Sequence, residues 1–175
     1  MIKAVIIDLD GTTLPRNWHQ ISKENRDALE KAGRQGIIRI LATGRSVFSL
    51  NNTLPEGLPI DYMVFSSGAG IMHWDDKKIL LTRELSTEET LEIATHLWKY
   101  DINFTIQQRI PDNHHFYYRN ISSFHEDFRR RIENYPGLGT PISSIDEIQG
   151  GATQFLVILD AKQLQLHGDI QLKLS

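Results

Sequence analysis

The stretch Ala4-Val5-Ile6-Ile7-Asp8-Leu9-Asp10-Gly11-Thr12 decides how this chain is read. Ala4 to Ile7 is a continuous apolar run, three of its four residues β-branched, with no polar face. That is the pattern of a parallel strand covered on both sides. The run stops at two carboxylates spaced i and i+2, followed by glycine. In an open α/β sheet, ligands bind beyond the carboxyl ends of the strands. Asp8, ionised at neutral pH, suits nucleophilic attack on phosphorus, giving an aspartyl-phosphate. Asp10 suits proton donation to the leaving oxygen and proton uptake from water. Both carboxylates repel a phosphate, so a divalent cation is expected, and Mg²⁺ prefers one or two carboxylates with water and phosphate oxygens.

Outward from this stretch the pattern is strand, helix, strand, helix, strand. Asp10 to Trp18, with Gly11 and Pro15, reads as a loop. Ser22 caps a helix with Ala28, Leu29 and Ala32 on one face and Gly36 beyond its end. Ile37 to Ala42 is a second buried strand, and a short helix ends before Pro55. Tyr62 to Phe65 is a third strand, turned by Ser66-Ser67-Gly68. This order predicts an α/β fold with a doubly wound parallel sheet. The second strand ends at Leu41-Ala42-Thr43-Gly44-Arg45, which puts the Thr43 hydroxyl and the Gly44 amide at the same sheet edge as Asp8. Both can donate to phosphate oxygens. Thr43 by itself also reads as a helix N-cap, and Arg45 reads equally as a substrate contact or a structural ion pair.

After the third strand the grammar becomes α+β. Ile71 to Trp74 and Lys78 to Thr82 form a hairpin around Asp75-Asp76-Lys77, and then Ser86 and Glu89 form a capping box for a helix carrying Leu91, Ala94, Leu97 and Trp98. Ile102 to Gln107 and His115 to Tyr118 read as strands, and Ser123 with Glu126 as a second capping box whose helix runs to about Tyr135. Pro136 to Pro141 reads as a loop and Thr153 to Leu159 as a strand. Leu164, Leu166, Ile170, Leu172 and Leu174 alternate with period 2, which reads as a hairpin around Gly168-Asp169, while Leu166, Ile170 and Leu174 also fall at the i, i+4, i+8 spacing of a helix, the poorer reading by count. A boundary near residue 83 gives two domains, 1–82 and 83–175.

Composition narrows the classes. A chain of 175 residues with 40% hydrophobic and 23% charged residues has enough apolar material for a core. It has no cysteine and a net charge of −3, which removes disulfides, thiol catalysis and Cys-zinc sites and gives no electrostatic reason for a nucleic-acid partner. No apolar run approaches the roughly 20 residues of a membrane helix, and Asp8 and Asp10 interrupt any N-terminal signal core. The expected location is the cytoplasm, with no membrane partner.

Asp8-Leu9-Asp10-Gly11-Thr12 followed by Ala42-Thr43-Gly44-Arg45 resembles the haloacid-dehalogenase superfamily, in particular its Cof-type, cap class IIB sugar-phosphatase branch. Ser67-Gly68-Ala69 stands where that branch carries an Asn-Gly-Ala-like turn. The resemblance implies the N-terminal part of a Rossmann-like core over 1–82 and an α+β cap over 83–175. It implies Asp8 as nucleophile and Mg²⁺ ligand, Asp10 as acid/base with its carbonyl on the metal, and Thr43 on the phosphoryl group, helped by the Leu9 and Gly44 amides. The substrate class would be small phosphorylated metabolites, sugar phosphates first among them. The family's catalytic Lys and second acidic motif, which follow the cap, find no counterpart within these 175 residues, and losing one such preorganised group costs about 10²–10³ in rate. The first strand is central in the family's sheet. Here Ala4 to Ile7 would be an exposed apolar edge, open to homo-oligomer formation unless the Leu164 to Leu174 segment covers it.

A second class of function is a non-catalytic phosphate-binding or association module. Other signals have plainer readings. Gly68-Ala69-Gly70 lacks the third glycine and the following helix of a dinucleotide fingerprint. A receiver domain needs an acidic end to its third strand, where this chain has Phe65-Ser66-Ser67. Neighbouring His114 and His115 would point to opposite faces of a strand, and Arg129-Arg130-Arg131 reads as a solvated helix face. His73, Gln107, Arg109, Tyr117 and Arg119 are the polar or aromatic candidates for substrate selection.

Overall fold

A computed structural model describes residues 2–15, 20–54, 57–119, 121, 125–159, 163, 165–168 and 170. The chain divides into two compact units, Met1–Arg83 and Glu84–Ser175.

The first unit is built on a five-stranded sheet in the order β1-β2-β3-β4-β5. Its elements are β1 (Ala4–Asp8), α1 (Lys23–Arg34), β2 (Ile38–Ala42), α2 (Val47–Thr53), β3 (Tyr62–Phe65), β4 (Gly70–His73) and β5 (Ile79–Thr82). The first three strands are parallel, with Asp8 opposite Ala42 and Ala42 opposite Val64. The last two turn back as antiparallel neighbours. Ser22 caps α1 by accepting from the Asn25 amide. Leu29 is the helix's buried residue, and Ala28, expected beside it, is exposed. β3 and β4 approach closely because Gly70 faces Phe65: a Cβ there would lie 2.1 Å from the buried Phe65 ring.

Asp61, at the entrance to β3, ties β2 and β3 together. It accepts from the Arg39 amide at 2.7 Å, from Nε at 3.0 Å and from Nη2 at 2.6 Å. Its own amide donates to the Arg39 carbonyl. The side-chain hydrogen bonds from Arg39 hold the Asp61 carboxyl below its usual range, against the opposing effect of partial burial.

The second unit carries a mixed four-stranded sheet in the order β8-β7-β6-β9. Its elements are α3 (Thr87–Trp98), β6 (Asn103–Gln107), β7 (Phe116–Arg119), α4 (Glu126–Glu133), β8 (Gly139–Ile142) and β9 (Gln154–Ile158). The Ser86–Glu89 capping box is formed in both directions. Ala94 and Leu97 of α3 pack with Phe104, Ile106, Ile142 and Ala152 in one apolar cluster. The alternate β6 residues Asn103, Thr105 and Gln107 are also buried.

The structure corrects several sequence expectations. β1 is not covered on both faces, and Ile6 is 69% exposed; its place at the edge of the described sheet agrees with the exposed-edge expectation. Gly139 and Pro141 belong to β8, an edge strand parallel to β7, where proline is tolerated. His125 caps α4 through Nδ1 on the Asp127 amide, and the helix ends at Glu133; Ser123 lies outside the described residues. Residues 165–168 and 170 are helical, not a hairpin. Leu166 and Ile170, one helical turn apart, join the core cluster. Leu164, Asp169, Leu172 and Leu174 lie outside the described residues. Among the described residues no helix is long and apolar enough to cross a membrane.

Asp61→Asn is expected to lower the stability of the first unit by about 1.5–3 kcal/mol at neutral pH, the range for hydrogen bonds to charged groups. The folded carboxyl titrates below its unfolded value, so this stabilisation is complete above the ordinary carboxyl range and is lost as pH falls through the lowered folded value. Urea midpoints of the two proteins should differ at pH 7 and converge in strong acid. Equal midpoints at pH 7 would show that the pair contributes nothing.

Candidate functional site

The chain leaves β1 through a closed turn. Leu9 is fully buried, and its carbonyl accepts from the Leu14 amide at 2.7 Å, while the Gly11 amide donates to the Leu14 carbonyl at 2.8 Å. Gly11 has φ +77°, a left-handed value that favours glycine. The Thr13 hydroxyl donates to the Asp8 carbonyl at 2.6 Å, and the Thr12 hydroxyl donates to Asp8 Oδ2 at 3.1 Å. The Asp8 carboxylate is thus oriented from within its own motif. The Asp10 carbonyl takes no part in the Leu9–Gly11–Leu14 bridge.

β2 ends one residue before Thr43, whose amide donates to the Val64 carbonyl at 2.9 Å. Thr43 does not cap α2; Ser46 does, accepting from the Ser49 amide. The Ser66-Ser67-Gly68 turn folds back on this segment: the Ser67 amide donates to the Thr43 carbonyl at 3.1 Å and the Ser66 amide to the Arg45 carbonyl at 2.9 Å. Ser66 and Ser67 both sit at left-handed φ, 50° and 55°. Two such non-glycine residues in succession are strained, and strain of this kind gathers at functional sites.

Arg45 grips Asp10. Its Nη2 reaches Oδ1 at 2.6 Å, and Nε reaches Oδ1 at 3.0 Å and Oδ2 at 3.2 Å. Nη1 donates to Thr53 Oγ1 at 2.8 Å, and the Thr53 hydroxyl goes to the Ser49 carbonyl inside α2. The Thr43 hydroxyl donates to Asp10 Oδ2 at 3.2 Å and accepts from the Arg45 amide at 3.2 Å.

A cavity of about 310 Å³ opens at the carboxyl ends of the parallel strands, lined by Asp8, Ala42, Thr43, Gly44, Val64, Ser67 and Gly68. Of the residues singled out from sequence, Asp8, Thr43 and Gly44 line it. Leu9, Asp10 and Arg45 do not: the Leu9 side chain is buried and the other two pair with each other beside it. A Cβ on Gly44 would stand 3.4 Å from Ser67 Oγ, so the two residues face each other across the cavity wall. Ser67 and Gly68 were read in sequence as a turn at the place of the family's Asn-Gly-Ala-like motif and were not singled out as site residues; the small polar run directly after a strand end was the available signal.

Mg²⁺ fits these donors in kind. The Asp8 carboxylate and the Asp10 carbonyl are hard oxygens of the type it takes alongside water and phosphate. Among the described residues no group of three acidic, histidine or cysteine side chains gathers to form an all-protein cage.

The remaining candidates have structural partners. His73 Nδ1 lies 2.8 Å from Asp76 Oδ1. Gln107 is buried, with its amide donating to Thr105 Oγ1. Arg109 reaches the Leu85 carbonyl. Tyr117 packs on the core cluster. Arg119 lies over the Trp98 ring and donates to the Tyr100 carbonyl. His114 and His115 do not point to opposite faces of a strand; their rings meet at a tilt in the turn before β7, with centroids 4.3 Å apart. Burial, and then the neighbouring His115, hold the His114 pKa below its usual value.

Residues 5–169 match the haloacid dehalogenase-like hydrolase family. Phosphatase YwpJ of Bacillus subtilis is 32% identical over 96 residues, covering 55% of this chain and 33% of that protein. The 5-amino-6-(5-phospho-D-ribitylamino)uracil phosphatase YwtE of Bacillus subtilis is 33% identical over 106 residues, covering 60% of this chain and 35% of that one. Among solved structures, the superfamily phosphatase BT1666 of Bacteroides thetaiotaomicron superposes with a TM-score of 0.73 at 21% identity, over 97% of this chain and 60% of that one. The subclass IIB sugar phosphatase BT4131 gives 0.62 at 18% identity, over 94% and 61%. The chain thus spans about a third of these curated relatives and about 60% of these solved chains. With the Asp8 and Thr43 strand ends brought to one cavity and the match running from residue 5 to residue 169, the chain belongs to the haloacid dehalogenase-like hydrolases.

Proposed function

We propose that this chain carries the nucleophile and phosphate cradle of a Mg²⁺-dependent phosphatase for small phosphorylated metabolites, sugar phosphates first among them. The observation that carries this reading is the shared cavity of Asp8, Thr43 and Gly44. An Asp8 carboxylate oxygen attacks phosphorus, and the bond from phosphorus to the ester oxygen breaks. Asp10 gives the leaving oxygen its proton. Water then attacks the aspartyl-phosphate, Asp10 takes the water's proton, and phosphate departs with Asp8 restored. The Thr43 hydroxyl and the Leu9 and Gly44 amides hold the non-reacting phosphate oxygens. Thr12 orients the nucleophile through its bond to Oδ2. Mg²⁺, held by the Asp8 carboxylate and the Asp10 carbonyl, would offset the repulsion between carboxylate and phosphate. Residues 1–82 act as the N-terminal part of the hydrolase core, residues 83–175 as the α+β cap that selects the substrate, and the cytoplasm is the place of action.

The exposed edge of β1 favours a second reading, in which the chain binds phosphate and associates without turning it over. Ile2 and Ile6 are more than two-thirds exposed on that edge, and open apolar edges pair with other chains.

Turnover of an aryl phosphate should require both Mg²⁺ and Asp8, and Asp8→Asn, nearly isosteric, should abolish it with the fold intact by circular dichroism. Full activity in that variant would sink the assignment. Inorganic phosphate followed by NMR should shift the Leu9, Thr43 and Gly44 amides, and Thr43→Val should weaken binding about tenfold, the worth of one charge-assisted hydrogen bond. Light scattering separates the two readings. Self-association that Ile6→Lys abolishes, with no turnover, supports the association module. A monomer that turns over aryl phosphate supports the phosphatase.

A further inference from the structure

The Thr43 hydroxyl has one proton, and in this structure it goes to Asp10 Oδ2 at 3.2 Å. A hydroxyl donates one hydrogen bond at a time. An oxyanion in the cavity that Thr43 lines needs that same proton. The Thr43 amide offers no substitute, because it donates to the Val64 carbonyl inside the sheet. The hydroxyl oxygen is held in place by the Arg45 amide at 3.2 Å, so it can turn its proton without moving.

Asp10, in contrast, does not depend on Thr43. Arg45 supplies three contacts to its two oxygens, the shortest 2.6 Å. Arg45 is itself anchored at the far end, through Nη1 on Thr53 and from Thr53 to the Ser49 carbonyl of α2. This places the guanidinium outside the residues lining the cavity and fixes it to a helix.

We propose that the Thr43 hydroxyl is a two-position donor, handed from the Asp10 carboxylate to a phosphate oxygen when the ligand binds, while Arg45 stays on Asp10 as the positioning residue that keeps the carboxylate in place after the handover. This rests on the phosphate-cradle reading and adds to it that Asp10 and the ligand compete for a single proton. Competition sets the oxyanion affinity below what the same cradle would reach with Thr43 uncommitted. Asp10 at 50% side-chain exposure and Arg45 at 26% leave their pair accessible to substitution without opening the core.

The test is a titration with inorganic phosphate at fixed ionic strength without Mg²⁺, on the full 175-residue chain and its variants. Asp10→Ala should tighten phosphate about tenfold, since it removes both a negative charge and the competitor for the Thr43 proton. In the Thr43→Val background, where no proton is contested, the gain should fall to about twofold, and Thr43→Ser, which keeps the proton, should restore the full gain. During the wild-type titration the Thr43 methyl signal should shift while the Arg45 Nε–H signal stays. An equal gain from Asp10→Ala in the wild-type and Thr43→Val backgrounds would reduce Asp10 to simple charge repulsion and overturn the handover. An Arg45 Nε–H shift tracking the phosphate saturation would overturn its role as a fixed holder. A folded protein with no phosphate response in any variant would overturn the phosphate cradle itself, an outcome distinct from the other two.

Discussion

The site depends on one five-residue parallel ladder. Among the described residues β1 pairs with β2 alone, and the last rung sets Asp8 opposite Ala42. That rung delivers the Asp8 carboxylate and the Thr43 hydroxyl to the same cavity from segments more than thirty residues apart in sequence. A slip of one residue would turn every side chain of β1 to the other face and withdraw the carboxylate. Leu9 and Leu41, both fully buried, oppose such a slip because either would have to leave the core.

β2 in turn is held from its other side. Asp61 accepts from both the backbone and the guanidinium of Arg39 and returns a backbone bond, so the β2–β3 register is fixed by charge-assisted contacts as well as by the ladder. Phe65 over Gly70 closes the next pair by shape. The turn between them, Ser66 to Gly68, carries the strain, and its amides reach back to the Thr43 and Arg45 carbonyls. The sheet therefore supports the cavity from the interior strand outward, while β1, which carries Asp8, is supported among the described residues on one edge only.

The sequence was most legible where local chemistry and tertiary context agree. The strand ends at Asp8 and Ala42, the Ser22 and Ser86 caps and the β4–β5 hairpin all follow from patterns within a few residues. It was least legible where a distant neighbour decides. An apolar run such as Ala4 to Ile7 is the same string whether it is central or at an edge; its burial depends on strands elsewhere in the chain. Gly139 and Pro141 look like loop residues until an edge position beside β7 makes proline acceptable. His125 took the cap of α4 because an imidazole nitrogen can accept as a serine oxygen does. In the tail, Leu166 and Ile170 satisfy period 2 and period 4 alike, and packing against the second core chose the helix. At the site, the residue types were readable but their pairing was not: Arg45 finding Asp10 is a contact across 35 residues.

That pairing also determines where negative charge is left. Among the described residues the Asp10 carboxylate has an arginine partner, whereas the Asp8 carboxylate accepts from the neutral Thr12 hydroxyl. Asp8 lines the cavity; Asp10 does not. A phosphate bound as proposed would therefore meet a carboxylate that no described cation offsets, and two unit charges about 4 Å apart at the protein surface repel by roughly 1–4 kcal/mol. Neutral donors such as Thr43 and the Gly44 amide oppose that repulsion only by aiming all their hydrogens at the ligand, and the Thr43 proton is already committed elsewhere. A divalent cation against the Asp8 carboxylate addresses the same repulsion directly, because it attracts both partners at once. The arginine is unsuited to that task here, since its fork is filled by Asp10 and its remaining end by Thr53. In the proposed phosphatase, compensation of Asp8 would thus fall to a cation, because Arg45, the guanidinium that the described residues bring to this sheet end, is spent on Asp10.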